Sequence, residues 1–183
     1  MEKARVISVL TLSLTAALLA TGGVDACDGA PRMSAVDATA DVMRQLCAAM
    51  LGTSPEPKEV TGYVFAAMDS NIAQFLISYE AADKVRQDAA SSEQLSAACE
   101  TCMGKYDLAK MKMVYSGNRL RSCDMSPVTR EDLLTAVVGI DDCATLLLNA
   151  AGDKTPLRRM VLLDRDRAVL LLQLAILLLP NKS

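Results

Sequence analysis

The chain has no histidine and no tryptophan, and its aromatic residues are limited to four tyrosines and two phenylalanines among 183 residues. Without histidine, the Ser–His and Cys–His pairs that activate a nucleophile cannot form. No segment alternates apolar and polar residues for long enough to favour a β-sheet. These absences favour a helical binding protein over an enzyme, and we expect no catalytic residue, no cofactor and no metal site.

The chain also lacks a concentrated cluster of charges of one sign. The chain carries 19 basic and 22 acidic residues, for a formal net charge of −3. No basic patch is interleaved with aromatic residues, which is the pattern typical of nucleic-acid binding. The sequence therefore predicts no nucleic-acid partner.

The first 26 residues resemble a secretory signal peptide. Lys3 and Arg5 precede an apolar stretch, Val6 to Ala20, and Val24-Asp25-Ala26 is a small-x-Ala cleavage site. The apolar stretch is shorter than the ~20 residues of a membrane-spanning helix. We expect cleavage after residue 26, a secreted mature chain of single-domain size, and no membrane association after cleavage.

All the cysteines lie in the exported part: Cys27, Cys47, Cys99, Cys102, Cys123 and Cys143. An even number of cysteines in an oxidising compartment indicates disulfides, but the spacing does not determine their pairing. Cys99 and Cys102 have the spacing of a redox or metal motif. Because this is a single pair inside a predicted helix, with no histidine in the chain, structural disulfides are the favoured interpretation.

Breakers and capping residues divide the mature chain into helices. Ser34 caps a short helix over Ala35 to Leu51, and the Pro-rich linker Thr53 to Pro57 follows it. Four long helices are then predicted: Lys58 to Asp88, a helix capped by Ser91-Ser92 that runs to Tyr115, one capped by Thr129 that ends at Gly152, and one from Thr155-Pro156 to Pro180. Ser116 to Pro127 is predicted to be a loop.

Each long helix has one apolar stripe at steps of three and four residues. In chain order the stripes are Val60, Val64, Met68, Ile72, Phe75, Tyr79 and Ala82; Leu95, Ala98, Cys102, Tyr106, Ala109 and Met113; Leu133, Val137, Ile140, Ala144 and Leu147; and Leu157, Met160 or Val161, Asp164, Ala168, Leu171, Leu174 or Ala175 and Leu178. The sequence predicts an all-α, up-down-up-down four-helix bundle over 58–179, after an N-terminal segment 27–57. With few aromatics, Ala, Leu, Val and Met are expected to fill its core.

Two carboxylate pairs were considered as catalytic groups. Asp141 and Asp142 are adjacent, and Asp164 and Asp166 are two residues apart, so the members of each pair point away from each other on a helix. For the second pair we expect ion pairs with Arg158, Arg159, Arg165 or Arg167 on a solvated face.

The apolar C-terminal stretch, Ala168 to Leu179, has two interpretations. It resembles the tail of a lipid-anchor signal after Ala150-Ala151-Gly152, but the spacer is long, and a buried fourth helix is favoured. Asn181-Lys182-Ser183 is formally a glycosylation acceptor.

Two cysteine-containing elements resemble the plant invertase and pectin methylesterase inhibitor family. Cys102-Met103-Gly104-Lys105-Tyr106-Asp107 is similar to its Cys-x-x-x-Tyr-Asp element, and Leu133 to Cys143 is similar to its second element, a Leu-Ser-Ala-Ala-Leu type helix that ends in cysteine. The resemblance implies a disulfide between Cys102 and Cys143, and another between Cys27 and Cys47 that holds an N-terminal helical hairpin. Cys99 and Cys123 are additional; they form a third pair, or one or both stay free.

The chain departs from the family pattern in three places. The gap from Cys27 to Cys47 is longer than is usual, and Arg167-Ala168-Val169-Leu170 replaces a Ser-Asn-Ala-Leu run in the last helix. The Pro-Lys-Phe motif of the invertase-directed members is Pro57-Lys58-Glu59 here.

The resemblance implies a secreted inhibitor of a cell-wall carbohydrate-active enzyme, acting in the apoplast, with the vacuole as second choice. Pectin methylesterase is the favoured target, blocked one-to-one by occlusion of its cleft; invertase (β-fructofuranosidase) is the alternative within the family. A secreted helical ligand or structural protein is the alternative outside it. The candidate partner-binding residues lie on the second and third bundle helices: Lys105, Asp107, Lys110, Lys112 and Glu131.

Overall fold

The computed structural model describes residues 32–33, 44–51, 58–124 and 126–178. Within these residues the fold is all-helical apart from two strands of two residues each. The elements are β1 (Arg32–Met33), α1 (Arg44–Leu51), β2 (Lys58–Glu59), α2 (Val60–Gln87), α3 (Glu93–Arg121), α4 (Pro127–Ala151) and α5 (Pro156–Ile176). The signal peptide, the Pro-rich linker, Cys27 and Asn181 lie outside the described residues, as does the side chain of Cys47.

The four long helices pack mainly as neighbours in a ring. Helix α2 packs against α3 and α5, and α4 packs against the same two helices, while α1 contacts α2. The β1 and β2 strands pair antiparallel, with Arg32 opposite Glu59 and Met33 opposite Lys58. The sequence did not predict this pairing, because two-residue strands are too short to show a period.

The predicted stripes are confirmed as the inward faces of α2 to α5. Most of their residues are buried, and Ile72, Tyr79, Leu95 and Val137 pack partly buried against the core. The two largest fully buried side chains are aromatic: Phe75 and Tyr106 meet edge-to-face, with ring centroids 5.2 Å apart. The prediction that Ala, Leu, Val and Met fill most of the core is confirmed, and four aromatic side chains are buried among them: Tyr63, Phe65, Phe75 and Tyr106.

Several helix ends agree with the capping signals. Ser92 accepts a hydrogen bond from the Leu95 amide, and Thr155 accepts one from the Arg158 amide with Pro156 at the first helical position. Gly152 ends α4 with a φ of 79°, a left-handed conformation that glycine adopts without steric cost. Helix α5 ends at Ile176, before the predicted Pro180.

The predicted loop from Ser116 to Pro127 is wrong over its first half, because α3 continues to Arg121. Ser116 and Gly117 are buried, and a Cβ added at Gly117 would lie 2.7 Å from the Met68 sulfur. This glycine therefore lets α2 and α3 approach closely and does not end the helix. Helix α4 begins at Pro127 with Ser126 as its N-cap; Thr129, the predicted cap, is buried in the first turn.

The Cys102–Cys143 disulfide is present and joins α3 to α4. The possible pair of Cys99 and Cys123 is not formed, since Cys99 is a buried free thiol and Cys123 is itself disulfide-bonded. Burial raises the pKa of the Cys99 thiol. Cys123 is therefore bonded to a cysteine other than Cys99, Cys102 and Cys143. Since Cys27 and Cys47 are the two cysteines that remain, the implied Cys27–Cys47 pair is not compatible with this bond.

Candidate partner-binding face

The outer surface where α3 and α4 meet carries a shallow open depression of about 280 Å³. We call this surface the α3–α4 face. Its lining residues are Lys105, Leu108, Leu134, Thr135, Val138, Gly139 and Asp142. Leu108, Leu134 and Val138 are exposed to solvent at 37%, 47% and 50%. The face therefore presents apolar side chains outside the core.

Helix geometry explains why these residues come together. The Cys102–Cys143 bond, the Lys105–Asp142 ion pair and the Lys112–Asp132 ion pair link rising positions in α3 to falling positions in α4. The two helices therefore run in opposite directions. On each helix, residues spaced one turn apart lie along the seam between the two. A Cβ added at Gly139 would meet Cδ and the carbonyl oxygen of Lys105 at 3.9 Å, which is ordinary contact distance, so the seam has room at this position.

The two lysines beside the depression are paired within the molecule. Lys105 Nζ lies 2.8 Å from Asp142 Oδ2, and Lys112 Nζ lies 2.7 Å from Asp132 Oδ1. Arg119 donates to the other oxygen of Asp132. A partner that docks here meets apolar side chains bordered by ion pairs.

Asp132 is held ionised by these two cations. Burial alone would raise its pKa, but the hydrogen bonds from Lys112 and Arg119 and their positive charges outweigh burial, so the pKa of Asp132 is lowered. Its side chain is only 7% exposed. Asp132 therefore fixes α4 to α3 and is not available to a partner.

The five candidate residues do not form one patch. Lys105 lines the α3–α4 face. Lys112 lies one helical turn beyond Leu108 on α3, and Glu131 lies one turn before Thr135 on α4, so both border the face. Asp107 and Lys110 form their own exposed ion pair at 3.6 Å. At about 100° per residue they lie on another side of α3 from Lys105.

Sequence reasoning missed the apolar members of this face. It selected charged residues, whereas Leu108, Leu134 and Val138 form the exposed walls. A usable signal was present in the sequence, since these residues are apolar but fall outside the inward stripes of α3 and α4. Large apolar residues off the main stripe are candidates for a second contact surface.

A second polar cluster, wholly buried, lies between α2, α3 and α5. Tyr106 donates a hydrogen bond of 2.7 Å to Asp164, whose other oxygen accepts from Arg167 at 3.2 Å. Asp164 is fully buried, so its predicted place on a solvated face is wrong, although its predicted pairing with Arg167 is confirmed. Asp166 does lie at the surface and pairs with Arg165.

The remaining carboxylates are separated as their spacing predicts. Asp141 pairs with Arg165 of α5, whereas Asp142 pairs with Lys105 of α3. Among the described residues, no group of three or more His, Cys, Asp or Glu side chains is arranged to hold a metal ion.

Helix α4 is the one helix in the described ranges that is long and apolar enough to cross a membrane. The core helix of a soluble protein meets the same criterion, and the inward side of α4 is packed against α3 and α5.

Comparison with known proteins adds no relative: no family model, no curated protein and no solved structure matches this chain.

Proposed function

We propose that this protein is a secreted, non-catalytic inhibitor that blocks the cleft of a cell-wall carbohydrate-active enzyme, with pectin methylesterase as the favoured target. The observation that carries the proposal is the α3–α4 face, an exposed apolar depression whose two charged lining residues, Lys105 and Asp142, are paired with each other. Such a face binds by shape and burial, because its charged groups have partners. A protein that docks on a partner needs an exposed surface of this kind. A catalytic site does not.

The proposal includes an up-down-up-down four-helix bundle as the scaffold. Support for this arrangement comes from the ring of packing among α2 to α5 and from the short turns that join them. A bundle closed by the Cys102–Cys143 bond would hold the α3–α4 face rigid. A rigid face loses little conformational entropy when it binds, which favours tight occlusion.

Within the proposal, polar recognition falls to the residues around the depression. Lys105, Lys112 and Glu131 would form the rim, and Leu108, Leu134 and Val138 the centre. Interface centres are commonly apolar with a polar rim, so this division has the expected order. Asp107 and Lys110 would lie at the edge of the contact or outside it.

The direct test measures inhibition of a purified pectin methylesterase and of an acid invertase by the mature, oxidised chain. We expect dose-dependent, one-to-one loss of pectin methylesterase activity. Loss of invertase activity alone would transfer the proposal to the alternative target. No effect on either enzyme would refute the inhibitor function and favour a secreted helical ligand or structural protein.

A matched pair of variants tests the surface. Val138→Asp places a charge in the depression, and Ile77→Asp makes the same change on α2, where the exposed fraction is similar at 54%. We expect Val138→Asp to weaken inhibition by about tenfold or more, since central interface residues commonly contribute over 1 kcal/mol. Ile77→Asp should inhibit like the wild type. Equal inhibition by both variants would move the binding surface away from the α3–α4 face.

A further inference from the structure

The buried polar cluster between α2, α3 and α5 is unusual because it contains a carboxyl group without solvent contact. Asp164 has 0% exposure, and its hydrogen-bond partner Tyr106 has 1%. A fully buried carboxyl is costly to ionise unless its charge is compensated by a nearby cation and by hydrogen bonds. The cluster is therefore a place where protonation and packing depend on each other.

The neighbours of Asp164 come from three helices. Helix α3 contributes the Tyr106 hydroxyl and α5 contributes Arg167, whose side chain is 24% exposed. Helix α2 contributes Ser78 and Asn71, both buried and neither charged. On α4, the charged side chain that reaches α5 is Asp141, and it pairs with Arg165 at the surface.

Compensation of an ionised Asp164 is incomplete in this arrangement. Arg167 is the one cation among the described residues that hydrogen-bonds to it, at 3.2 Å, and it is shared with solvent. The Ser78 hydroxyl and the Asn71 carbonyl oxygen are buried with no hydrogen-bond partner in the described part of the chain. Besides Arg167, the groups in the cluster that favour the charged form of Asp164 are the uncharged hydroxyls of Tyr106 and Ser78.

We propose that Asp164 makes the contact between Tyr106 of α3 and α5 across the core sensitive to pH, so that the folded protein is more stable under mildly acidic than under neutral conditions. When Asp164 is neutral, its carboxyl group can stay buried in the cluster and still accept the hydrogen bond from Tyr106. When Asp164 is ionised, its negative charge lies in the core, and its one cationic partner among the described residues, Arg167, is partly exposed to solvent. The role is separate from the α3–α4 face and does not depend on the target enzyme.

The direction of the effect follows from the titration of Asp164. Burial raises its pKa above the ordinary value, against the opposing effects of Ser78, Tyr106 and Arg167. Burial and the neighbouring carboxyl also raise the pKa of Tyr106, which therefore remains a hydrogen-bond donor. A raised acid pKa in the folded state gives stability that is fully present below the unfolded pKa and lost as the pH rises through the folded one.

The test compares urea unfolding of the mature oxidised wild type with Asp164→Asn at about pH 5 and about pH 7.5, followed by circular dichroism. We expect the unfolding equilibrium constant of the wild type to rise between the two pH values, by roughly tenfold for each unit by which the folded pKa lies above pH 5. Asparagine accepts the Tyr106 hydrogen bond but cannot ionise, so Asp164→Asn should change less than about twofold. An equal rise in both proteins overturns the proposal.

Asp166→Asn is the matched control, since Asp166 lies two residues away on α5 and is solvent-accessible. It should keep the pH dependence of the wild type. If Asp164→Asn does not fold, an NMR titration of the side-chain carboxyl carbons in the folded wild type decides the matter. An Asp164 midpoint above that of unfolded aspartate supports the proposal, and a midpoint at or below it refutes the proposal.

Discussion

Two buried aspartates have pKa values that are shifted in opposite directions, although burial alone would raise both. Asp132 receives hydrogen bonds from Lys112 and Arg119, and its pKa is lowered. Asp164 receives them from Tyr106 and Arg167, and its pKa is raised because burial outweighs these partners. The difference lies in the number of cations: two partly exposed cations compensate one carboxylate, and a phenol with one arginine does not.

Replacing Asp132 with asparagine tests the first of these residues. Asp132→Asn should lower the free energy of unfolding at neutral pH by about 1–3 kcal/mol, because two cations lose a charged acceptor. A lowered acid pKa gives stability that is present above the unfolded pKa and lost as the pH falls through the folded one. The variant should therefore show less additional loss of stability on acidification than the wild type.

Asp107→Asn is the control for that experiment. Asp107 is exposed and lies 3.6 Å from Lys110, a surface pair whose removal should change stability by less than about 0.5 kcal/mol. Both measurements are urea unfolding curves across pH. If Asp107→Asn is as destabilising as Asp132→Asn, burial is not the cause.

For single residues, the sequence predicted the ion-pair partner of Asp164 better than its burial. Asp164 interrupts the apolar stripe of α5, and from this position it was expected to be paired with arginine. Its burial depends on Tyr106, which lies 58 positions away in the sequence. No local pattern shows that a tyrosine of α3 will donate to an aspartate of α5, so the cluster appears only when the helices are packed.

At the scale of elements, a period of three to four residues predicted the inward faces of all four long helices. This worked because each helix buries one stripe against its neighbours, and burial is local in sequence. The prediction is wrong at the end of α3, because the predicted loop from Ser116 includes Gly117 and Asn118, whereas the helix continues to Arg121. A glycine in a helix also permits close approach of a neighbouring helix, and the sequence of α3 alone cannot distinguish the two roles.

Two glycines of α3 provide a test of close approach. A Cβ at Gly104 would meet nothing within 4 Å, whereas one at Gly117 would meet the Met68 sulfur at 2.7 Å. Gly104→Ala should stabilise the protein by about 0.5–1 kcal/mol, through the higher helix propensity of alanine. Gly117→Ala receives the same propensity gain but must displace Met68, so it should be about 1–3 kcal/mol less stable than Gly104→Ala.

Thermal or urea unfolding of the two variants measures this difference. Helical content in the folded state should remain unchanged in both, because neither substitution breaks a hydrogen bond of α3. Equal stabilisation by the two alanines would mean that Met68 moves aside at no cost, and that α2 and α3 do not need a glycine at this contact.

At the scale of the whole molecule, different pairs of neighbouring helices are linked by different polar or covalent interactions. Helices α3 and α4 share a disulfide and ion pairs, whereas α2 and α5 meet through the Asn71 amide, which donates to the Arg167 carbonyl. The strongest link therefore lies directly beneath the α3–α4 face. The resemblance to the inhibitor family implied this disulfide, whereas the paired charges around it depend on packing and were not predicted.

Removing the disulfide tests whether the bond stabilises the fold, shapes the α3–α4 face, or does both. Cys102→Ser combined with Cys143→Ser should lower the free energy of unfolding by about 2–4 kcal/mol, because a cross-link acts mainly on the unfolded chain. Cys99→Ala, which removes a free thiol from the same helix, is the control and should cost less. Denaturant unfolding and inhibition assays are then compared below the melting temperature of the double variant.

If the bond acts on the unfolded chain, the folded double variant keeps its affinity for the target enzyme and loses inhibition only on heating. The Lys105–Asp142 and Lys112–Asp132 pairs still hold α3 beside α4, so the depression should keep its shape. A double variant that remains helical but binds more weakly at low temperature would show that the disulfide shapes the α3–α4 face. Unchanged stability would show that the ion pairs alone hold the two helices together.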